Sequence, residues 1–376
     1  MKYKIAVFAG DGVGPELIDE GIKVIEKAAE LDKFEIEWVK YPHGAEHFSE
    51  TKESLSNKAL KEIKDSCKSV YCGTFDNSKN GNAAENNVSS AIKNYFDQFV
   101  SLRPIRLLPN VQSPLNGKTD KEIDFTVIRE NTEDFYSGIN GRVKNGKNKH
   151  QFDLNNSTLK AKFGLNVEAK GGEMAYQIGV LSKKGCERVI KFAFEYAKSK
   201  NKKKIAAVDK ANMIECYDFW RENVNKVSKG YGDIKCEFEF IDAAVMNFIR
   251  QPEKYEVIIA PNMFGDILGD LGTVMQGSLA VAARGNINPG GISMFEPVHG
   301  SAPGLKEKGV VNPIATIWAG AMMLDNIGQQ KSADLMIKSI EYVLKGGKTM
   351  TLDLGGNNST SEMGDAIKDK FIELHD

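Results

Sequence analysis

The order in which short apolar runs alternate with helical segments limits this chain to a narrow group of folds. Lys4 to Ala9 reads as a strand broken at Gly10, and a helix follows to about Glu30 with Pro15 near its first turn. Phe34 to Val39 alternates as a second strand, Ser54 to Lys64 reads as a helix, and Lys68 to Cys72 as a third strand. Strands separated by helices lie parallel, because each helix carries the chain back along the sheet. The expectation is an α/β protein with an open, largely parallel sheet.

The same alternation continues. The Gly- and Asn-rich stretch Gly73 to Asn87 reads as a loop, Val88 to Gln98 as a helix and Phe125 to Arg129 as a strand. Helices are expected at Lys183 to Lys200, Asn212 to Val227, Ile314 to Ile327 and Ala333 to Leu344. Strands are expected at Lys204 to Val208, Glu237 to Ile241 and Tyr255 to Ala260, the last closed by Pro261. Gly138 to Gly172 is rich in Asn, Lys and Gly and reads as an extended hairpin or arm.

A chain of 376 residues is long enough for two domains. Its formal charge of −1 gives no electrostatic reason to expect a nucleic acid or a membrane surface as partner. Apolar runs fall short of the about 18 residues a membrane span requires. The five cysteines are scattered and odd in number, which suits reduced thiols and a cytoplasmic location.

Chemistry gathers at the ends of the expected strands, where open α/β sheets bind ligands. After Pro261 comes Asn262-Met263-Phe264-Gly265-Asp266-Ile267-Leu268-Gly269-Asp270. A helix puts Asp266 and Asp270 on one face, where like charges repel unless a cation or basic partner lies between them. Asp242, past the strand near 238–241, is a third acid able to join an oxygen-ligand set for Mg²⁺ or Mn²⁺. Lys210 ends an apolar strand, where a desolvated amine is tuned toward a base. Arg103 and Arg129, with Lys93, offer cations for carboxylates, and Tyr136 lies seven residues after Arg129. Taken singly, each of these also reads as an ordinary surface ion pair or packing residue.

Gly10, Gly12 and Gly14 follow a strand but do not make a dinucleotide fingerprint. Pro15 stands where G-x-G-x-x-G needs its last glycine, and Lys40 where the ribose-binding acid belongs. Phe295-Glu296-Pro297-Val298-His299-Gly300-Ser301-Ala302-Pro303 is a loop whose small residues allow close approach to a phosphate.

Gly10 to Glu16, Leu102-Arg103-Pro104, Arg129 to Glu133, Asp209 to Asn212, Gly265 to Asp270, and Glu296 to Pro303 with Asn312-Pro313 occur in a shared order. Together they resemble the metal-dependent β-decarboxylating dehydrogenases of isocitrate, 3-isopropylmalate, homoisocitrate, tartrate and D-malate. The resemblance implies that family's fold, two α/β domains with an open sheet rather than an ordinary Rossmann fold. It divides the chain into a larger cofactor-binding domain, 1–98 plus 277–376, and a smaller dimerisation and catalytic domain, 99–276.

It also implies an NAD(P)-dependent decarboxylating dehydrogenase acting as a homodimer with shared active sites. Lys210 and Tyr136 match the family's catalytic residues, and Asp242, Asp266 and Asp270 its metal carboxylates, with Asp242 reaching the neighbouring subunit's site. Ser89, Lys93, Arg103 and Arg129 match substrate-binding positions. Thr74, Asn212, His299, Gly300, Ser301, Ala302 and Asn312 match cofactor-binding ones.

Departures bear on substrate and cofactor. Lys93 stands where the family usually has arginine, so one bidentate clamp becomes a point charge. Gly304-Leu305 matches neither the NAD nor the NADP pattern; NAD is preferred, while Lys306 and Arg284 keep NADP open. Ser89 and Ser90 replace the leucines that enclose an isopropyl group. The run Phe96 to Leu107 resembles the tartrate/D-malate group most, whereas Asn87 and Ser89 would suit the γ-carboxylate of isocitrate. The expected substrate is D-malate or tartrate; isocitrate, then 3-isopropylmalate or homoisocitrate, are the alternatives. A non-catalytic regulatory subunit is the reading from another class.

Overall fold

The computed structural model describes residues 1–76 and 88–376, so Asn87 and most of the loop before it lie outside the described residues. Chain contacts divide the protein into two compact units, Met1–Asp124 with Leu271–Asp376, and Phe125–Asp270.

The N-terminal part of the first unit carries strands β1 (Lys2–Gly10), β2 (Glu35–Lys40), β3 (Ser69–Thr74) and β4 (Val100–Arg106), and helices α1 (Gly14–Asp32), α2 (Ala45–Thr51), α3 (Asn57–Ser66) and α4 (Val88–Tyr95). The second unit follows with β5 (Asp124–Glu130), β6 (Asn140–Val143), β7 (Gly146–Asn155), β8 (Lys160–Ala169) and β9 (Met174–Gln177). It continues through α5 (Lys183–Ser199), β10 (Lys204–Asp209), α6 (Cys216–Ser228), β11 (Lys235–Phe240), α7 (Ile241–Arg250), β12 (Val257–Ala260) and the start of α8 (Asn262–Met275). The chain then completes the first unit with β13 (Ala283–Ile287), β14 (Met294–Pro297), α9 (Ile314–Asn326), α10 (Gln330–Gly346) and α11 (Thr360–His375).

In the first unit the strand order is β4-β13-β14-β3-β1-β2. β3 pairs in parallel with both β1 and β14, and β1 in parallel with β2, while β13 runs antiparallel to β14 and β4. The β4–β13 ladder ties residues 100–106 to this unit. Every residue of β3 is buried, the mark of a strand covered on both faces. Helix α9 is buried almost all round, and α1 and α10 pack against it. In the second unit β11-β10-β12-β5 are all parallel.

Several expected boundaries move: the helix expected over Val88 to Gln98 ends at Tyr95, that over Ser54 to Lys64 runs Asn57–Ser66, and two shifts bear on the site. The helix expected from Asn212 starts at Cys216, because Met213 and Ile214 donate to the Lys210 carbonyl (3.0 Å each) and hold 210–214 as a turn. The strand expected to reach Ile241 ends at Phe240, and Asp242 lies in the first turn of α7, where an acid complements the helix dipole. Helix α11 lay outside the expected elements, although Ser359 and Glu362 form a capping box readable as S-x-x-E.

The arm is a hairpin. β7 and β8 pair in antiparallel register with Phe152 opposite Phe163 and His150 opposite Leu165. Exposure alternates along both strands, so one face is half covered and the other fully exposed. Among the described residues no helix is long and apolar enough to cross a membrane.

Candidate active site

In the second unit two side chains converge on Asp266. The Arg129 guanidinium donates through Nη1 to Asp266 Oδ1, and Tyr136 donates its hydroxyl to Oδ2 at 3.3 Å. Asn262, one turn earlier on α8, orients the arginine: its Oδ1 accepts from Nε at 2.9 Å and from Nη2 at 2.7 Å. Asn262 is itself fixed by donating to the Glu133 carbonyl at 3.0 Å. Gly265 is required here, since a Cβ would stand 2.6 Å from Arg129 Cβ. The arginine also lies over the Tyr136 ring, 5.6 Å from its centroid. Partial burial, then the Asp266 charge, raise the Tyr136 pKa, so the phenol keeps its proton at neutral pH.

Lys210 belongs to a different cluster. It donates to Asp242, and that hydrogen bond holds the aspartate below the usual carboxylate range. The turn carrying Lys210 is built on Asp209, which is fully buried. Arg221 grips both Asp209 oxygens (2.6 and 2.8 Å), Ala211 N–H adds a third bond at 2.9 Å, and the guanidinium is flanked by the rings of Phe238 and Phe240. Asn212 is exposed on the same turn. Asp270 is exposed on α8, one turn past Asp266. Among the described residues no three His, Cys, Asp or Glu side chains come together to hold a metal, so one chain does not unite Asp242 with Asp266 and Asp270.

The sequence around Arg129 also carries buried acids that hold the backbone. Glu130 accepts from Thr132 N (2.9 Å) and Glu133 N (2.8 Å), and complete burial pushes its pKa up to about 7. Glu133 accepts from the Ser182 backbone and hydroxyl, tying the start of α5 to the segment bearing Tyr136. Asn262 had no role assigned from sequence. Its position opening α8 directly after Pro261 was the available signal.

The first unit assembles the expected cofactor positions. Thr74 donates to the Asp11 carbonyl at 2.9 Å, and Val13 N–H donates to the Ser301 carbonyl at 3.0 Å, which joins the glycine loop to the 299–302 loop. Ala302 has a left-handed φ of +39°. His299 Nδ1 lies 3.0 Å from the Gly300 carbonyl, its Nε2 is enclosed without a hydrogen-bond partner, and burial lowers its pKa toward the neutral ring. Asn312, just before the Pro313 cap of α9, accepts from Ile314 N–H through Oδ1 and donates to Asp353.

Gly12 is the tightest point of this cradle. Its φ is +58°, and a Cβ would stand 1.9 Å from the Ser301 carbonyl oxygen. Gly12→Ala is expected to destabilise the fold by about 1–3 kcal/mol, read as a lower midpoint in chemical unfolding. An unchanged midpoint would show that the two loops separate freely.

The remaining expected substrate residues of this unit are Ser89 and Lys93, half-buried on α4, and Arg103, buried on β4. Ser89 Oγ donates to both oxygens of Glu296 at 3.2 Å. Arg284 is committed to the same carboxylate at 2.9 Å, and Lys306 pairs with Glu307 at 3.5 Å.

The isocitrate/isopropylmalate dehydrogenase family profile matches residues 4–367. Over 379 residues the chain is 35% identical to the D-malate dehydrogenase (decarboxylating) of Escherichia coli strain K12, covering 97% of each. It is 35% identical over 381 residues to the homoisocitrate dehydrogenase of Methanocaldococcus jannaschii, covering 97% of this chain and 96% of that one. The crystal structure of isocitrate dehydrogenase from Methylococcus capsulatus superposes with a TM-score of 0.81 at 30% identity, over 98% of this chain and 99% of that one. With a family match over nearly its whole length and a mixed α/β fold shared with a solved member, the chain belongs to the isocitrate/isopropylmalate dehydrogenase family and is an oxidoreductase of the decarboxylating dehydrogenase type.

Proposed function

We propose that the protein catalyses NAD(P)- and divalent-metal-dependent oxidative decarboxylation of a malate-type 2-hydroxy dicarboxylate, D-malate or tartrate. The observation that carries this reading is the Asn262–Arg129–Asp266–Tyr136 array, which sets a fixed cation, a carboxylate and a protonated phenol side by side. The likeness to D-malate dehydrogenase and the serines at 89 and 90 support the small polar substrate.

Asp266 and Asp270, joined by Asp242 of a second copy, would hold Mg²⁺ or Mn²⁺, since all three are hard oxygen donors. The glycine loop, Thr74, the 299–302 loop and Asn312 would hold the nicotinamide cofactor, and the family resemblance assigns Asn212 to the nicotinamide. The neutral His299 ring and the close glycine approach fit such a ligand. NAD is favoured over NADP because Arg284, one of the two cations that kept the 2′-phosphate open, is paired with the buried Glu296. When bound, the metal supplies Lewis-acid polarisation of the substrate oxygens and the nicotinamide accepts the hydride.

The protein's own residues supply orientation and proton transfer. Arg129, Arg103 and Lys93 bind substrate carboxylates. Lys210 takes the C2 hydroxyl proton, directly or through water. Tyr136 returns a proton to the enolate left by CO₂ loss, a role that suits a phenol whose pKa is raised.

The working form in this proposal is a homodimer in the cytoplasm. Met246, Ile249 and Ile267 are 56%, 46% and 50% exposed on α7 and α8, and the half-covered face of the hairpin adds Phe152 and Phe163. All five cysteines are free.

With Mn²⁺ present, NADH should form with D-malate or tartrate faster than with isocitrate or 3-isopropylmalate, and a chelator should abolish turnover. Absence of turnover with all of these acids and both nucleotides would remove the dehydrogenase assignment for this chain's own site.

A further inference from the structure

Glu296 is 3% exposed on β14, and its carboxylate is filled from one side of the sheet. Arg284 is its cross-strand neighbour on β13, and Asn286 lies two residues further along the same face. Both donate to Oε1 at 2.9 Å. Ser89, in the first turn of α4, donates to the two oxygens at 3.2 Å. A carboxylate matched to a guanidinium and an amide N–H accepts only. The hydroxyl hydrogen of Ser89 is therefore committed to Glu296, and its oxygen faces any other group as an acceptor.

We propose that Glu296 is a positioning residue that sets the hydrogen-bond polarity of Ser89, so that Ser89 selects substrates bearing a hydroxyl on C3 over those bearing a carboxymethyl arm. This rests on the reading that Ser89 meets the C3 substituent of a 2-hydroxy dicarboxylate. A C3 hydroxyl donates to the Ser89 oxygen. A carboxymethyl group, as in isocitrate, brings acceptor oxygens against it, and two acceptors without a proton between them repel. The sequence suggested the reverse, a serine donating to a γ-carboxylate, because sequence does not show where a hydroxyl hydrogen is already spent.

The test is the ratio of kcat/KM for tartrate to that for isocitrate, with D-malate, whose C3 carries only the carboxylate that all three acids share, as the internal reference. Ser89→Ala should lower the ratio about tenfold. Glu296→Gln should lower the ratio at least as far, because the new carboxamide can donate to Ser89 and turn its hydrogen toward the substrate. In the Ser89→Ala background, Glu296→Gln should leave the ratio unchanged, since its effect passes through the hydroxyl. If Glu296→Gln slows all three acids by one common factor, or shifts the ratio equally with and without Ser89, Glu296 is scaffold only and the proposal falls. If the unaltered enzyme oxidises none of these acids, the functional reading fails separately. Calorimetric dissociation constants for tartrate and isocitrate with Mg²⁺ then decide: a ratio that Ser89→Ala leaves unchanged overturns the proposal, and one that drops supports it.

Discussion

Lys210→Met should lower kcat by about 10²–10⁴-fold, the range lost when a positioned proton acceptor is removed, with little change in folding. The reasoning starts at Asp209, whose buried carboxylate is clamped by Arg221 and by the Ala211 amide. That clamp fixes the backbone from which Lys210 projects, and it does not involve the lysine side chain. Methionine keeps the length of the stem and removes only the amine. Asp242 loses its partner, but its side chain is 61% exposed and water replaces the lost bond at small cost. The melting midpoint should therefore stay within a few degrees while turnover collapses. A loss below about tenfold with the preferred acid would mean that another group takes the proton. A collapse accompanied by a large drop in melting midpoint would place Lys210 in the scaffold instead.

Much of the fold could be read from the chain because its strands are covered on both faces and so appear as unbroken apolar runs. β3 and β12 are the clearest cases. The elements that escaped are those whose signal is spread out or shared. α7 begins directly where β11 ends, with no loop residue between Phe240 and Ile241, so the period changes inside a single apolar stretch. The residues of the site were visible as types at strand ends, but their partners were not. Nothing local in the sequence ties Arg129 to Asn262, 133 positions away, or Ser89 to Glu296, 207 positions away. These are tertiary pairings, and they change the chemistry: Arg284 looked available for a 2′-phosphate until the sheet register set it opposite Glu296.

The division of the site between two clusters leads to the sharpest expectation, complementation between inactive chains. Lys210 is bonded to Asp242, whereas Tyr136 and Arg129 are bonded to Asp266. If a second copy supplies Asp242 to the metal, it supplies Lys210 with it, because the two side chains travel together. Lys210→Met and Asp266→Asn should each be nearly inactive alone. When the two are unfolded together and refolded as a mixture, half of the dimers are mixed. Each mixed dimer joins an intact Lys210–Asp242 pair to an intact Asp266 at one of its two sites, so about a quarter of the normal activity should return. The control is Lys210→Met mixed with Asp242→Asn. Both substitutions lie in the same contributed cluster, and every site in that mixture lacks one member, so no activity should return. Recovery in the control would show that Lys210 and Asp242 of one chain serve different sites, and no recovery in the first mixture despite demonstrated subunit exchange would place Lys210 and Asp266 of one chain in the same site; either result removes the reading that a second copy contributes the Lys210–Asp242 pair.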